Sequence, residues 1–197
     1  TSGTASSGAA LLAEVQSQPI SSLVEKMLVS DDNTLAEMLA RVISQRAGRD
    51  GSMASVAGVI PSALAESEIP VDGLLVDDGS GLSTRGQVPM AELAGFLGLI
   101  QNGDGGLERI AESLAVAGES GGLKDRFSDS PAKGNVSAKT GRNSLSTAMA
   151  GIVEAADGAL LAFAVSASRE GVGTGAWAPI DALVEGFYEC GSNLAAS

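Results

Sequence analysis

The last third of the chain has few ways to fold. Apolar-rich segments at roughly 135–140, 145–154 and 159–167 are separated by only a few residues each. Connections that short join strands as antiparallel neighbours, because a parallel return needs a crossover of a dozen or more residues. Asp157-Gly158 marks a tight hairpin, since this pair accepts the positive φ angles that such turns demand. Beyond the strands, Ile180, Leu183, Val184 and Phe187 recur at helical spacing between about Pro179 and Cys190. A half-apolar sheet followed by an amphipathic helix buries both surfaces when the helix lies on the sheet.

The segments before it read as helices. Ser22-Leu23-Val24-Glu25 has capping-box spacing, which predicts a helix start at Ser22. A second helix is expected from about Thr34 to Ala47, with Leu35, Met38, Leu39, Val42 and Ile43 on one apolar face and Gly48 as its stop. Ser52 to Ser67 reads as helical with a kink or break at Pro61. Leu74-Leu75-Val76 is a short strand candidate, and Pro89 suits the first residue of a helix reaching about Ile100. Leu107 to Leu114 is amphipathic, whereas Val116 to Gly134 reads as loop. Residues 1–16 form a lead-in that begins with small polar residues, and 17–197 form the folded part. The fold class is therefore α+β: helices, then an antiparallel meander and a closing helix.

Composition removes several function classes. A net charge of -12 argues against nucleic acid, whose phosphates reward basic surfaces. The chain has no His, which excludes a Ser-His-Asp triad, a Cys-His dyad and any His-ligated metal site. Acyl transfer here must use Lys or a carboxylate as base. Cys190 is alone and reads as a packed residue of the terminal helix rather than a nucleophile. Asp77-Asp78 and Asp31-Asp32 invite a hard-cation site, but a Gly-rich turn and a helix N-terminus account for them better. No metal or cofactor is expected. The apolar runs are too short and interrupted for a transmembrane span. No signal-peptide pattern is visible, and an opening at Thr1 in small polar residues fits a mature or a truncated form equally.

Against that background, Lys139-Thr140-Gly141 at a strand edge has chemical content. An outward Lys supplies a fixed positive charge for a carboxylate, and the Thr hydroxyl adds a hydrogen bond. The Gly lets a substrate backbone lie flat against the strand. Lys-Thr-Gly is also the third signature of the penicillin-interactive serine enzymes, beside Ser-x-x-Lys and Ser-x-Asn. Two further segments line up with it. Asp31-Asp32-Asn33-Thr34-Leu35-Ala36-Glu37 resembles the Ser-Asp-Asn-x-x-Ala-Glu segment of penicillin-binding D-alanyl-D-alanine carboxypeptidases, in the branch that includes endopeptidases. Asp78-Gly79-Ser80-Gly81-Leu82-Ser83 resembles a loop of that same branch, and Leu123-Lys124-Asp125-Arg126-Phe127 resembles its approach to the Lys-Thr-Gly strand.

The resemblance implies a serine penicillin-binding/β-lactamase-like transpeptidase fold, of which 17–197 would be the C-terminal part of the catalytic domain. It implies two-step acyl transfer on peptidoglycan stem peptides, acylation by β-lactams, and an extracytoplasmic location in a bacterial envelope. Lys139 and Thr140 would hold the terminal carboxylate, beside Gly141, and the backbone N–H of Arg142 would donate to the oxyanion. Asn33 would bind the substrate's amide backbone.

The departures are as informative. Family members often carry Thr where Arg142 stands, so here another positive charge or a steric block enters the carboxylate site. Alignment through Asn33 puts Asp31 at the proton-relaying Ser position, with Ser30 one residue earlier as the alternative. An ionised Asp accepts hydrogen bonds but cannot donate one, and it raises the pKa of neighbouring lysines. A helical Ser-x-x-Lys is missing. Ser22 and Lys26 are four apart, and Ser130-Pro131-Ala132-Lys133 has the spacing but reads as loop. The nucleophile is therefore expected from an upstream segment of the same protein. Two rivals stand beside this reading: a non-catalytic homologue that binds cell-wall peptide without acylation, and a relative of class A β-lactamases, against which the Asp-Gly-Ser-Gly-Leu-Ser loop argues.

Overall fold

In the computed structural model, which describes residues 3–103 and 107–196, the last third forms the expected antiparallel sheet. Strands β2 (Val136–Arg142), β3 (Ser146–Glu154) and β4 (Leu160–Ser168) pair in sequence order. The register runs Lys139 opposite Ala150 and Ala150 opposite Ala164. Strict alternation along β3 turns Thr147, Met149, Gly151 and Val153 to one buried face. There Met149 and Val153 join Val136, Ala138, Phe163, Ile180 and Val184 in a single apolar cluster. Ile180 and Val184 come from α6 (Trp177–Cys190), the closing helix that the spacing predicts. Gly151 is required by contact rather than by φ: a Cβ there would lie 2.2 Å from the Ser137 carbonyl oxygen.

The second face of the sheet is also covered. Helix α4 (Met90–Gln101) lays Leu97 and Ile100 beside Ala150 and Ala162, with Leu114 completing the cluster. A fourth strand, β1 (Ala115–Val116), pairs with Ala138 and Ser137 of β2. This corrects the reading of 116–134 as loop throughout. Most of that segment forms turns and one short 3-10 helix, Gly121–Leu123, but Leu123 and Phe127 are buried core residues. Arg126 fastens it to α6, donating from Nε to Asp181 at 3.2 Å and stacking 4.2 Å from the Trp177 ring centroid.

The remaining helices differ from expectation in several places. Helix α1 spans Ile20–Ser30 and is preceded by Pro19, so Ser22 lies inside its first turn and caps nothing. Pro19 is the N-cap instead, non-helical at ψ 148°, and its carbonyl accepts the first helical bond from the Leu23 N–H at 3.1 Å. Helix α2 spans Asn33–Arg46, with Asp32 as N-cap accepting from the Leu35 N–H at 2.9 Å. It buries the small residues Ala40 and Ser44, while Met38, Val42 and Ile43 of the expected apolar face are exposed. Helix α3 runs unbroken from Met53 to Glu66 through Pro61. Buried Val56 and Val59, and a 2.6 Å bond between the hydroxyls of Ser44 and Ser55, anchor it on α2. That packing offsets the one backbone bond a proline removes.

Helix α5 is only Glu108–Glu112, shorter than the expected 107–114. Leu75 forms an isolated antiparallel bridge with Gln87 rather than a strand of the sheet. Cys190 ends α6 but is exposed, not packed. Residues 3–19 carry neither helix nor strand, and Thr1 and Ser2 of the expected lead-in lie outside the described residues.

Candidate functional site

Strand β2 is covered unevenly. The two-residue β1 pairs with Ser137 and Ala138 and stops, so among the described residues no strand flanks Lys139 to Arg142 on that side. Backbone bonds from Glu154 to Asn135 and from Asn143 to Ser146 show that the odd-numbered residues of β2 face β3. By antiparallel alternation, Thr140 and Arg142 direct their N–H and C=O groups to the open edge. The Lys139 ammonium reaches this edge as well, donating to the Thr140 carbonyl at 2.5 Å. Gly122 sits directly against Thr140: a Cβ there would come within 2.8 Å of the Thr140 hydroxyl oxygen.

The opposite wall is the elbow between α1 and α2. Asp31 closes α1 in the left-handed region (φ 55°, ψ 44°), a conformation that short polar side chains tolerate. Asp32 turns its carboxylate inward as the cap of α2. The sharp turn brings Asp31 and Asn33 to face β2. Asp31 accepts from the Lys139 ammonium at 2.5 Å, a contact between residues 108 positions apart. The Asn33 side chain makes no hydrogen bond among the described residues and is exposed.

The third wall is the 77–83 loop. Asp78 shapes it by accepting from the N–H groups of Gly81 and Ser83, the latter at 2.8 Å. Glu37, on α2, straps it down: its carboxylate accepts from the Gly79 N–H at 2.7 Å and pairs with Arg41 at 2.9 Å. Gly79 lies so close to α2 that a Cβ would meet the Ala40 Cβ at 2.5 Å. Asp77 is turned away to Arg85, whose guanidinium holds its carboxyl below the ordinary carboxylate range.

Together these walls enclose a cleft of about 260 Å³. Asp31, Asn33, Lys139, Thr140, Gly141 and Arg142 all line it, so six of the seven sequence-nominated residues converge. Ser30 does not. Its hydroxyl donates to the Lys26 carbonyl of α1 at 2.6 Å. Sequence reading missed Met27, Leu28, Ser80 and Leu82 as lining residues. The Asp-Gly-Ser-Gly loop stands out as a motif in the sequence, but only its contact with Glu37 makes it a wall. A second hollow of about 570 Å³ continues past Gly141 and Arg142, between the β2–β3 turn and residues 75–90.

The model of the D-Ala-D-Ala carboxypeptidase 3 (S13) family matches residues 1–185. The chain belongs to that family. It is 32% identical over 189 residues to carboxypeptidase DacB of Mycolicibacterium smegmatis, covering 93% of this chain and 41% of that protein. It is 32% identical over 158 residues to a D-alanyl-D-alanine carboxypeptidase of an Actinomadura species, covering 77% of this chain and 29% of that one. Among solved structures, penicillin-binding protein 4 of Haemophilus influenzae, in complex with a β-lactam, superposes with a TM-score of 0.75 at 26% identity. That match covers 90% of this chain and 45% of the other. The chain thus spans less than half the length of the relatives it matches. Its α+β architecture is that of the S13 penicillin-binding proteins.

For an S13 member, Ser130 and Lys133 stand in an unhelpful place. Residues 128–135 form turns, and the Ser130 hydroxyl accepts from the Ala132 N–H at 3.1 Å. Neither residue lines the cleft.

Proposed function

We propose that this chain forms the carboxylate-reading wall of a serine D-Ala-D-Ala carboxypeptidase that acts on peptidoglycan stem peptides outside the cytoplasm and is acylated by β-lactams. The observation that carries this reading is the convergence of Lys139, Thr140 and Gly141, on an edge that no strand flanks among the described residues, with Asn33 across the cleft. An extended peptide terminus fits along such an edge, since Thr140 and Arg142 direct backbone groups to it. Lys139 and the Thr140 hydroxyl hold the terminal carboxylate. Asn33 binds the peptide amide, and the Arg142 N–H donates to the oxyanion that forms at the scissile carbonyl. A serine from an upstream segment attacks that carbonyl, the terminal D-alanine leaves with a proton, and water then hydrolyses the ester.

Two surfaces support completion by such a segment. The outer edge of β4 pairs with no strand among the described residues, and an open edge is a place for further strands. Met38, Val42 and Ile43 leave an apolar strip exposed on α2. The non-catalytic reading draws on Asp31 and Arg142, but it is less favoured because the relatives are named carboxypeptidases.

The test is Lys139→Ala in the protein at its natural length. A charge-assisted hydrogen bond in a partly desolvated cleft contributes roughly 1.5–3 kcal/mol, so acylation by penicillin or peptide should fall about tenfold to over a hundredfold. Wild type should discriminate against a substrate whose C-terminus is an amide, and the variant should not. Equal discrimination by both would end the assignment of Lys139 as carboxylate reader.

A further inference from the structure

We infer that Asp31 is a built-in rival for the substrate's carboxylate, a specificity-determining residue that lowers the cleft's preference for carboxylate over neutral termini. This rests on the reading of Lys139 as the carboxylate reader. The Asp31 carboxylate oxygen lies 2.5 Å from the Lys139 ammonium, which is where an incoming carboxylate oxygen must sit. Among the described residues it has no other partner. The elbow holds it there, because Asp31 ends α1 in the left-handed region and the next residue caps α2.

Exposure sets the strength of the rivalry. The Asp31 side chain is 64% exposed and that of Lys139 30%, so the pair stands at the cleft mouth, where water and salt screen it. Such a contact yields to a ligand rather than sealing the site. The charge balance points the same way. Asp31 and Asp32 offset Lys139 and Arg142 among the cleft-lining residues, so the cleft carries no net positive charge to attract anions. A carboxylate alone gains little here, and a peptide that adds backbone hydrogen bonds along β2 gains more.

The experiment uses the natural-length protein with Asp31→Asn and Asp31→Gly. Asn and Gly both suit a left-handed C-cap, so the elbow is preserved while the charge is removed. Binding of an N-acylated stem-peptide analogue whose terminal D-Ala-D-Ala bond is replaced by a non-hydrolysable isostere, and of its C-terminal amide, is measured by calorimetry from low to high salt. Each variant should bind the carboxylate peptide about two- to fivefold more tightly than wild type, the range an exposed ion pair allows, and the amide unchanged. Carboxylate affinity should also fall more steeply with salt in the variants, and the gain should vanish when Lys139→Ala is added. Carboxylate affinity unchanged or weakened in both folded variants, with wild type still discriminating against the amide, would overturn the rivalry alone. Equal binding of peptide and amide by every form would overturn both the rivalry and the carboxylate-reading wall.

Discussion

The two long walls of the cleft are held by different forces. The sheet wall is buried from both sides: Val136, Ala138, Met149 and Val153 are fully enclosed beneath α6, and Leu97 and Ile100 of α4 cover the other face. The helical wall is thin. Helix α1 buries none of its residues, and α2 buries only Ala40 and Ser44. Val56 and Val59 of α3 back α2 from behind, and on the cleft side what fixes it are polar ties, from Glu37 to Gly79 and from Asp31 to Lys139. Burial is non-directional and accumulates with area, whereas each polar tie fixes one geometry at modest net gain. Lys139 and Thr140 therefore stand on a rigid frame, and Asp31 and Asn33 on one that a ligand or a substitution can shift.

The largest expected effect tests the sheet wall. Met149 is completely buried in the cluster beneath α6. Met149→Ala should destabilise the protein by about 2–5 kcal/mol, the cost of lost transfer energy plus the cavity left behind. Denaturant unfolding measures it. A loss below about 1 kcal/mol would mean that the cluster is not what holds this wall, and the contrast would fail on its stronger side.

A smaller, more local effect is expected in the helical wall. At Gly79 a Cβ would stand 2.5 Å from the Ala40 Cβ and 2.9 Å from the Glu37 Cα, so Gly79→Ala must push the loop off α2. Overpacking of this kind costs about 1–3 kcal/mol. The displaced Gly79 N–H also weakens its bond to Glu37. Hydrogen exchange should rise in residues 78–83 while β2 and β3 stay protected. Uniform loss of protection across the sheet would show that the two walls unfold as one unit, which breaks the distinction.

The same contrast explains what was legible in the sequence. The closely spaced apolar segments and the Asp157-Gly158 turn are local signals, and both appear in the structure where the spacing put them. Strand β1 has two residues and pairs across more than twenty positions, so no local pattern announces it. The buried face of α2 is not legible, because apolar spacing says which residues share a side, not which side meets a neighbour. Contact through Ala40 and Ser44 lets the loop and α3 approach closely, and Met38, Val42 and Ile43 are left outside. For the site, Lys139, Thr140, Asn33 and Asp31 were readable as residue types at marked positions. Their convergence was not, because it depends on a left-handed residue at Asp31 and a 2.7 Å tie from Glu37 to a loop 42 residues away.

The smallest expected effect concerns the far end of the sheet wall, where a polar tie also acts. Asp157, in the β3–β4 hairpin, accepts from the Ala159 N–H at 3.1 Å, the Ser192 N–H at 2.9 Å and the Ser192 hydroxyl at 2.7 Å. These donors, the Ser192 hydroxyl foremost, lower its pKa from 3.8 to about 2. Gly191 makes room for the carboxylate, since a Cβ there would lie 2.3 Å from it. A depressed carboxylate pKa means that the folded state binds fewer protons than the unfolded one between the two values. The stabilisation is therefore complete above about pH 4 and lost as pH falls towards 2. Asp157→Asn lacks that titration and serves as the reference, because every other carboxylate titrates in both proteins. The melting-temperature advantage of wild type should be constant above about pH 4 and should shrink between pH 4 and 2. Asp157 sits at the opposite end of β3 from the turn beside the cleft, so peptide binding near neutral pH should be the same in both proteins. A gap that persists unchanged to pH 2 would remove the tie, and altered peptide binding would show that the sheet wall is less rigid along its length than its burial implies.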